Sequence, residues 1–86
     1  MDTIKFGAFV AQQRKELGLT QAQLAERIHV TDKAVSRWER GIGLPDINLL
    51  EPLAEALEVS VLDVIRGEKV QENLMPVMDA EELVSE

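Results

Sequence analysis

Residues 20–41, TQAQLAERIHVTDKAVSRWERG, hold two short helical periodicities with only about three turn residues between them. Each opens with its own capping residue. Thr20 is followed three positions later by Gln23, the T-x-x-Q spacing in which hydroxyl and amide side chains satisfy the first free N–H groups of a helix. Leu24, Ala25 and Ile28 then recur on one face. His29 and Val30 make the turn, with His29 facing solvent. Thr31 caps the second helix, Asp32 and Lys33 open it, and Gly41 ends it.

The flanks read as further helices. Over residues 3–17, Phe6, Phe9, Val10, Gln13 and Leu17 recur at three- and four-residue spacing. Lys15 suits the negative end of that helix, and Gly18 is placed to stop it. Residues 42–46 form a loop with Gly43 and Pro45. A fourth helix is expected over 47–57, with Leu49, Leu50, Leu53, Ala54 and Leu57 inward. Pro52 belongs in its first turn, since an interior proline costs about 3 kcal/mol; Asn48 is the expected cap and Asp46 the alternative. Ser60 and Asp63 form a second capping box for a fifth helix, which carries Val61, Leu62 and Ile65 and stops at Gly67. There is no internal repeat and no strand alternation. The expected fold is all-α, a compact five-helix domain over residues 1–67.

Residues 68–86 differ in character. They carry six acids against one base, Lys69, with Pro76 between. They read as an acidic flexible tail or the start of a further region, and a dimerisation or docking segment is the sharper alternative.

The second helix of the pair concentrates the chemistry. Val35, Trp38 and Glu39 lie at i, i+3 and i+4 and share one face, while Lys33, Ser36, Arg37 and Arg40 share another. The first face holds the only tryptophan and is expected to dock, with Trp38 a core residue and Arg14 the partner of Glu39. The second is exposed and basic. Long donors such as Lys33 and Arg37 reach guanine O6/N7 in a major groove, or a phosphate; Ser36 donates or accepts, and Arg40 reaches backbone phosphate. A solvated face is the alternative. Asp32 favours the helix N-terminus by its charge, with a contact to cytosine N4 the alternative. Gln21, in the first turn of the preceding helix, stands where N–H groups point together at a phosphate.

A net charge of −7 opposes a nucleic-acid partner at first sight. Its distribution matters more than its total. Residues 14–40 carry six basic and four acidic side chains, a surplus of +2; residues 42–86 carry two against eleven, or −9. The middle is mildly basic and the second half strongly acidic.

Residues 6–67 resemble the Cro/phage-repressor (Xre-type) helix-turn-helix domain. The matching pieces are RKELGLTQAQLA (14–25), VTDKAVSRWERG (30–41), PDINLLEPLAEAL (45–57) and VSVLDVIRG (59–67). The resemblance implies a lambda-repressor-like five-helix domain that binds operator DNA, commonly as a symmetric dimer. It assigns Gln21 and Arg40 to phosphate, and Asp32, Lys33 and Arg37 to base edges with Ser36 nearby. With Thr31 at the helix start, the DNA-binding candidates are Gln21, Thr31, Asp32, Lys33, Ser36, Arg37 and Arg40. It makes Arg14–Glu39 an internal ion pair and places Trp38 between helices. The loop at 42–46 lacks the extra basic residues that some relatives place against the DNA backbone, and residues 68–86 match no part of the domain.

The expected function is a sequence-specific regulator of transcription, a repressor, acting as a homodimer on a pseudo-palindromic double-stranded site. A protein-interaction or antitoxin-like module on the same fold is the alternative, with the acidic segment as its partner surface. An enzyme is disfavoured: the chain has no Cys, a single His and no phosphate-cradling glycine loop, so no catalytic, metal or cofactor site is expected. No apolar run approaches the roughly 18 residues of a membrane span, and the chain reads as cytoplasmic.

Overall fold

The computed structural model describes residues 1–69; the expectations for the segment beyond them lie outside the described residues. Those residues form five α-helices and one 3-10 turn: α1 (Thr3–Glu16), α2 (Gln21–Arg27), α3 (Asp32–Glu39), the 3-10 turn (Ile47–Leu49), α4 (Leu50–Leu57) and α5 (Val61–Arg66). α2 and α3 pack on each other, α3 also packs on α1, and α4 and α5 close the other side of α1.

The helix starts follow the side-chain chemistry of their caps. Thr20 Oγ1 accepts from the Gln23 amide at 3.0 Å, and Gln23 Oε1 accepts from the Thr20 amide at 2.9 Å. Ser60 and Asp63 repeat the reciprocal pair at 3.1 and 3.2 Å. The Thr31 hydroxyl accepts from the Ala34 amide at 3.2 Å. Asp2 Oδ1 caps α1, accepting from Ile4 and Lys5. Ahead of the fourth helix the capping residue is Asp46, not Asn48: Asp46 Oδ1 accepts from the Asn48 amide at 3.4 Å, while α4 itself starts after Leu49 with no side-chain cap. The chain makes a 3-10 turn there before the α-helix begins at Leu50. That turn leaves Leu49 and Leu50 half-buried and puts Pro52 in the first turn of α4.

Phe6, Val10, Leu24, Val35, Leu53 and Leu57 are fully enclosed and form the centre of the core. On α5 the buried residue is Val64, while Leu62 and Ile65 are 49% and 41% exposed. A six-residue helix has room for one inward stripe, and the packing of α5 against α1 and α4 selects Val64 with half-buried Val61.

α1 and α3 meet at Gly7. A methyl group added there would collide with the Trp38 carbonyl oxygen and lie 3.0 Å from that of Glu39, both backbone atoms that cannot swing away. Gly41, at φ +76°, turns the chain out of α3 directly against Ile4. Two other exits use residues that disfavour the left-handed region: His29 at φ 61° after α2, and Glu58 at φ 60° after α4.

Gly7→Ala adds about 1 kcal/mol of helix propensity, but the collision outweighs it, and overpacking of this kind costs about 2 kcal/mol. The net loss of about 1 kcal/mol should register in thermal unfolding as a fall of about 5 °C; an unchanged or raised Tm would show that α1 and α3 can separate at no cost. Glu58→Gly relieves a left-handed side chain and removes a negative charge from a helix C-terminus, a net gain of about 1 kcal/mol. Calorimetry should therefore show a higher Tm for that variant.

Candidate functional site

α3 is held by its inner face, and the hold is partly electrostatic. Val35 is fully enclosed and Trp38 is 5% exposed. Beside them Arg14 Nε donates to Glu39 Oε2 at 2.6 Å, and a second guanidinium nitrogen donates to Oε1 at 3.0 Å. Such a two-point match of planar groups fixes angle as well as distance. A third guanidinium nitrogen donates to the Leu19 carbonyl at 2.7 Å, so Arg14 also ties down the link between α1 and α2. Gln21 Nε2 donates to Glu39 Oε1 at 2.9 Å. Three helices thus converge on one nearly buried carboxylate.

The hydrogen bonding to Glu39, aided by its negative charge, raises the Arg14 pKa further above its ordinary value, against the opposing pull of burial. A cation whose folded pKa is raised contributes stability that is fully present below its unfolded pKa and lost only as pH climbs through the folded one. For an arginine that window lies at strongly alkaline pH.

With its inner carboxylate neutralised, α3 shows solvent the cations Lys33, Arg37 and Arg40 against the single carboxylate of Asp32. Lys33 and Arg37 are one turn apart and, with Thr31, Ala34, Trp38, Gly43 and Leu44, line a groove of about 280 Å³. The groove lies between α3 and the loop that follows it. Ser36 is half-buried, and Asp32 is exposed at the first turn. Arg40 Nε donates to the Ser36 carbonyl at 3.3 Å.

The candidate residues therefore fall into three places. Thr31, Lys33 and Arg37 meet at the groove. Asp32, Ser36 and Arg40 lie along the neighbouring stripe of α3 at four-residue spacing. Gln21 stands apart on α2 and is hydrogen-bonded to Glu39 of α3. Its Nε2 has a second hydrogen that the bond to Glu39 leaves available. Leu44, Gly43 and the Gln21–Glu39 bond were not legible in the sequence. Leu44, one of two large apolar residues in the short loop 42–46, was the one signal for the groove; nothing in residue spacing marks an amide on α2 as the neighbour of a carboxylate on α3.

Comparison with known proteins adds to this geometry. A family model described as helix-turn-helix matches residues 10–64. The HTH-type transcriptional activator BcrR of Enterococcus faecalis is 33% identical over 67 residues, covering 78% of this chain and 33% of that protein. The CTXphi transcriptional repressor RstR of Vibrio cholerae is 40% identical over 52 residues, covering 60% of this chain and 46% of that one. The chain thus spans about a third to a half of the length of these relatives. Among solved structures, the c2 repressor protein of phage P22, in complex with a synthetic operator, superposes with a TM-score of 0.70 at 32% identity, over 73% of this chain and 96% of that one.

Removing one partner from the carboxylate cluster leaves a charge without its counterpart. Glu39→Ala should cost about 3 kcal/mol, a fall in Tm of about 15 °C. Gln21→Ala removes a single bond to a charged acceptor and should cost about 1.5 kcal/mol. The difference in Tm between the wild-type chain and Glu39→Ala should stay constant from about pH 7 to 10, because Arg14 does not titrate there. A difference that shrinks over that range would count against a charged Arg14 as the origin of the effect.

Proposed function

The chain belongs to the Cro/phage-repressor (Xre-type) helix-turn-helix family, and from that premise we propose that it is a DNA-binding regulator of transcription, inserting α3 into the major groove of a specific double-stranded site. The observation that carries this reading is the exposed Lys33–Arg37 pair on a helix whose other side is fixed by Trp38 and the Arg14–Glu39 pair. A reading helix must present long donors at defined positions, and a rigid mount keeps their conformational cost low.

In this reading Lys33 and Arg37 address base edges and favour guanine, whose O6 and N7 offer two acceptors to one donor group. Asp32 and Ser36 flank them, and Thr31 lines the groove. Arg40 swings from its own helix to a phosphate. Gln21 donates its second amide hydrogen to another, while Glu39 holds the first. Repression is the expected sign of regulation. The functional unit is a homodimer, with two α3 helices entering successive major grooves about 34 Å apart on a pseudo-palindromic site. The role is binding, without catalysis. No helix among the described residues is long and apolar enough to cross a membrane; a cytoplasmic location is part of this reading, since it is where a bacterial-type regulator meets DNA.

Selection from random duplexes should recover a motif with two half-sites. Lys33→Ala/Arg37→Ala should weaken binding to it by about a hundredfold and relax the base preference. Arg40→Ala should weaken binding about equally across sequences and reduce the slope of log affinity against log salt by about 1. A folded protein that enriches no motif would sink the DNA reading.

A further inference from the structure

The groove beside α3 is lined by the apolar side chains of Ala34, Trp38 and Leu44 and by the cations Lys33 and Arg37. It suits a ligand that interleaves apolar groups with negative charge. Residues 70–86, VQENLMPVMDAEELVSE, have that composition: five carboxylates, no cation, and apolar side chains such as Met78 and Leu83 set beside the acids.

The point where this segment leaves the described fold is within the segment's reach of that surface. Gly67 lies against the backbone of Lys5, and Glu68 pairs with the Lys5 ammonium at 3.1 Å. Gly41, at the end of α3, lies against Ile4, the residue before. Joining those two close approaches across one 3.8 Å step of α1 puts Gly41 and Gly67 at most about 15 Å apart. From Gly41 back to Lys33 is about 12 Å along α3. Seventeen residues span up to about 56 Å when extended, so the segment reaches the whole cationic face. Tethered this way, it acts at an effective concentration on the order of millimolar, and a weak intrinsic affinity suffices for substantial occupancy.

We propose that residues 70–86 dock in cis on the Lys33–Arg37–Arg40 face, an apolar side chain in the groove and carboxylates against its cations, and so compete with DNA. The competition rests on the functional reading above; the contact does not. DNA displaces the segment where its own contacts are strong, at a specific site, and fails to do so where they are weak. The acidic segment thereby lowers the affinity for specific and random duplexes by the same factor, so that at a given DNA concentration the tighter, specific complex is the one that stays occupied.

The chain has no cysteine, so Ala80→Cys in the full chain gives one attachment point for a nitroxide. Amide resonances of residues 33–44 should broaden at low salt without DNA. The broadening should fade in high salt and in the Glu81→Gln/Glu82→Gln background. It should persist in Glu51→Gln/Glu55→Gln, which removes the same charge from the exposed face of α4. Broadening confined to residues next to Lys69, or spread evenly over the fold, overturns the contact. On a random-sequence duplex, Glu81→Gln/Glu82→Gln should bind about fivefold more tightly than the α4 pair; equal affinities overturn the competition. Broadening of residues 33–44 in a protein that binds no duplex at all leaves the contact standing and removes the functional reading instead.

Discussion

Between the middle of α1 and the end of α3 the two backbones approach so closely that Gly7 has no space for a methyl group against the Trp38 and Glu39 carbonyls. From that approach follow the burial of Trp38, the reach of Arg14 to Glu39, and the placement of Gly41 against Ile4. A helix of eight residues has too little propensity to stand alone in water. α3 exists because one of its faces is fixed at this depth, and its outer face is rigid for the same reason.

Electrostatics reinforces this mount by cancelling charge on the inside and leaving it on the outside. Glu39 accepts three hydrogen bonds from Arg14 and Gln21, so the nearly buried carboxylate is matched by a cation and an amide. Breaking such a cluster is expensive because it strands a charge, even where the assembled pair adds little over an apolar substitute. Its contribution here is positional. It locks the angle between α1 and α3 and carries α2 along with them. The chain's total of −7 says little about this surface, because the surplus of acids lies after α3 in the sequence.

Much of the fold was legible because it is written in local chemistry. Thr20–Gln23, Ser60–Asp63 and Thr31 announce their helices through spacing alone, and the structure places hydrogen bonds at each. The choice of Asp46 over Asn48 was not legible, because both can cap and the outcome depends on how the 3-10 turn leads Leu49 and Leu50 toward the core. On α5 the sequence points to Val61, Leu62 and Ile65, whereas Val64 is the residue that is buried; a six-residue helix is too short for periodicity to select a face. At the site, the division of α3 into an inner and an outer face came from i, i+3, i+4 spacing. The groove, the bond from Gln21 to Glu39 and the tie from Arg14 to the Leu19 carbonyl depend on the folding of separate segments, which residue spacing does not encode.

The separation of duties along α3 also bears on how such a protein diversifies. Ala34, Val35, Trp38 and Glu39 face inward and hold the helix, whereas Asp32, Lys33 and Arg37 are exposed. Substitutions at exposed helical positions away from caps and buried pairs usually change stability by less than about 0.5 kcal/mol. The outward residues can therefore be rewritten while the mount stays as it is. A scaffold with that property explores new binding preferences through single replacements without first crossing a valley of unfolded intermediates. Duplicated copies of the gene would accordingly diverge earliest at these few outward positions, and latest at Gly7, Arg14, Trp38 and Glu39.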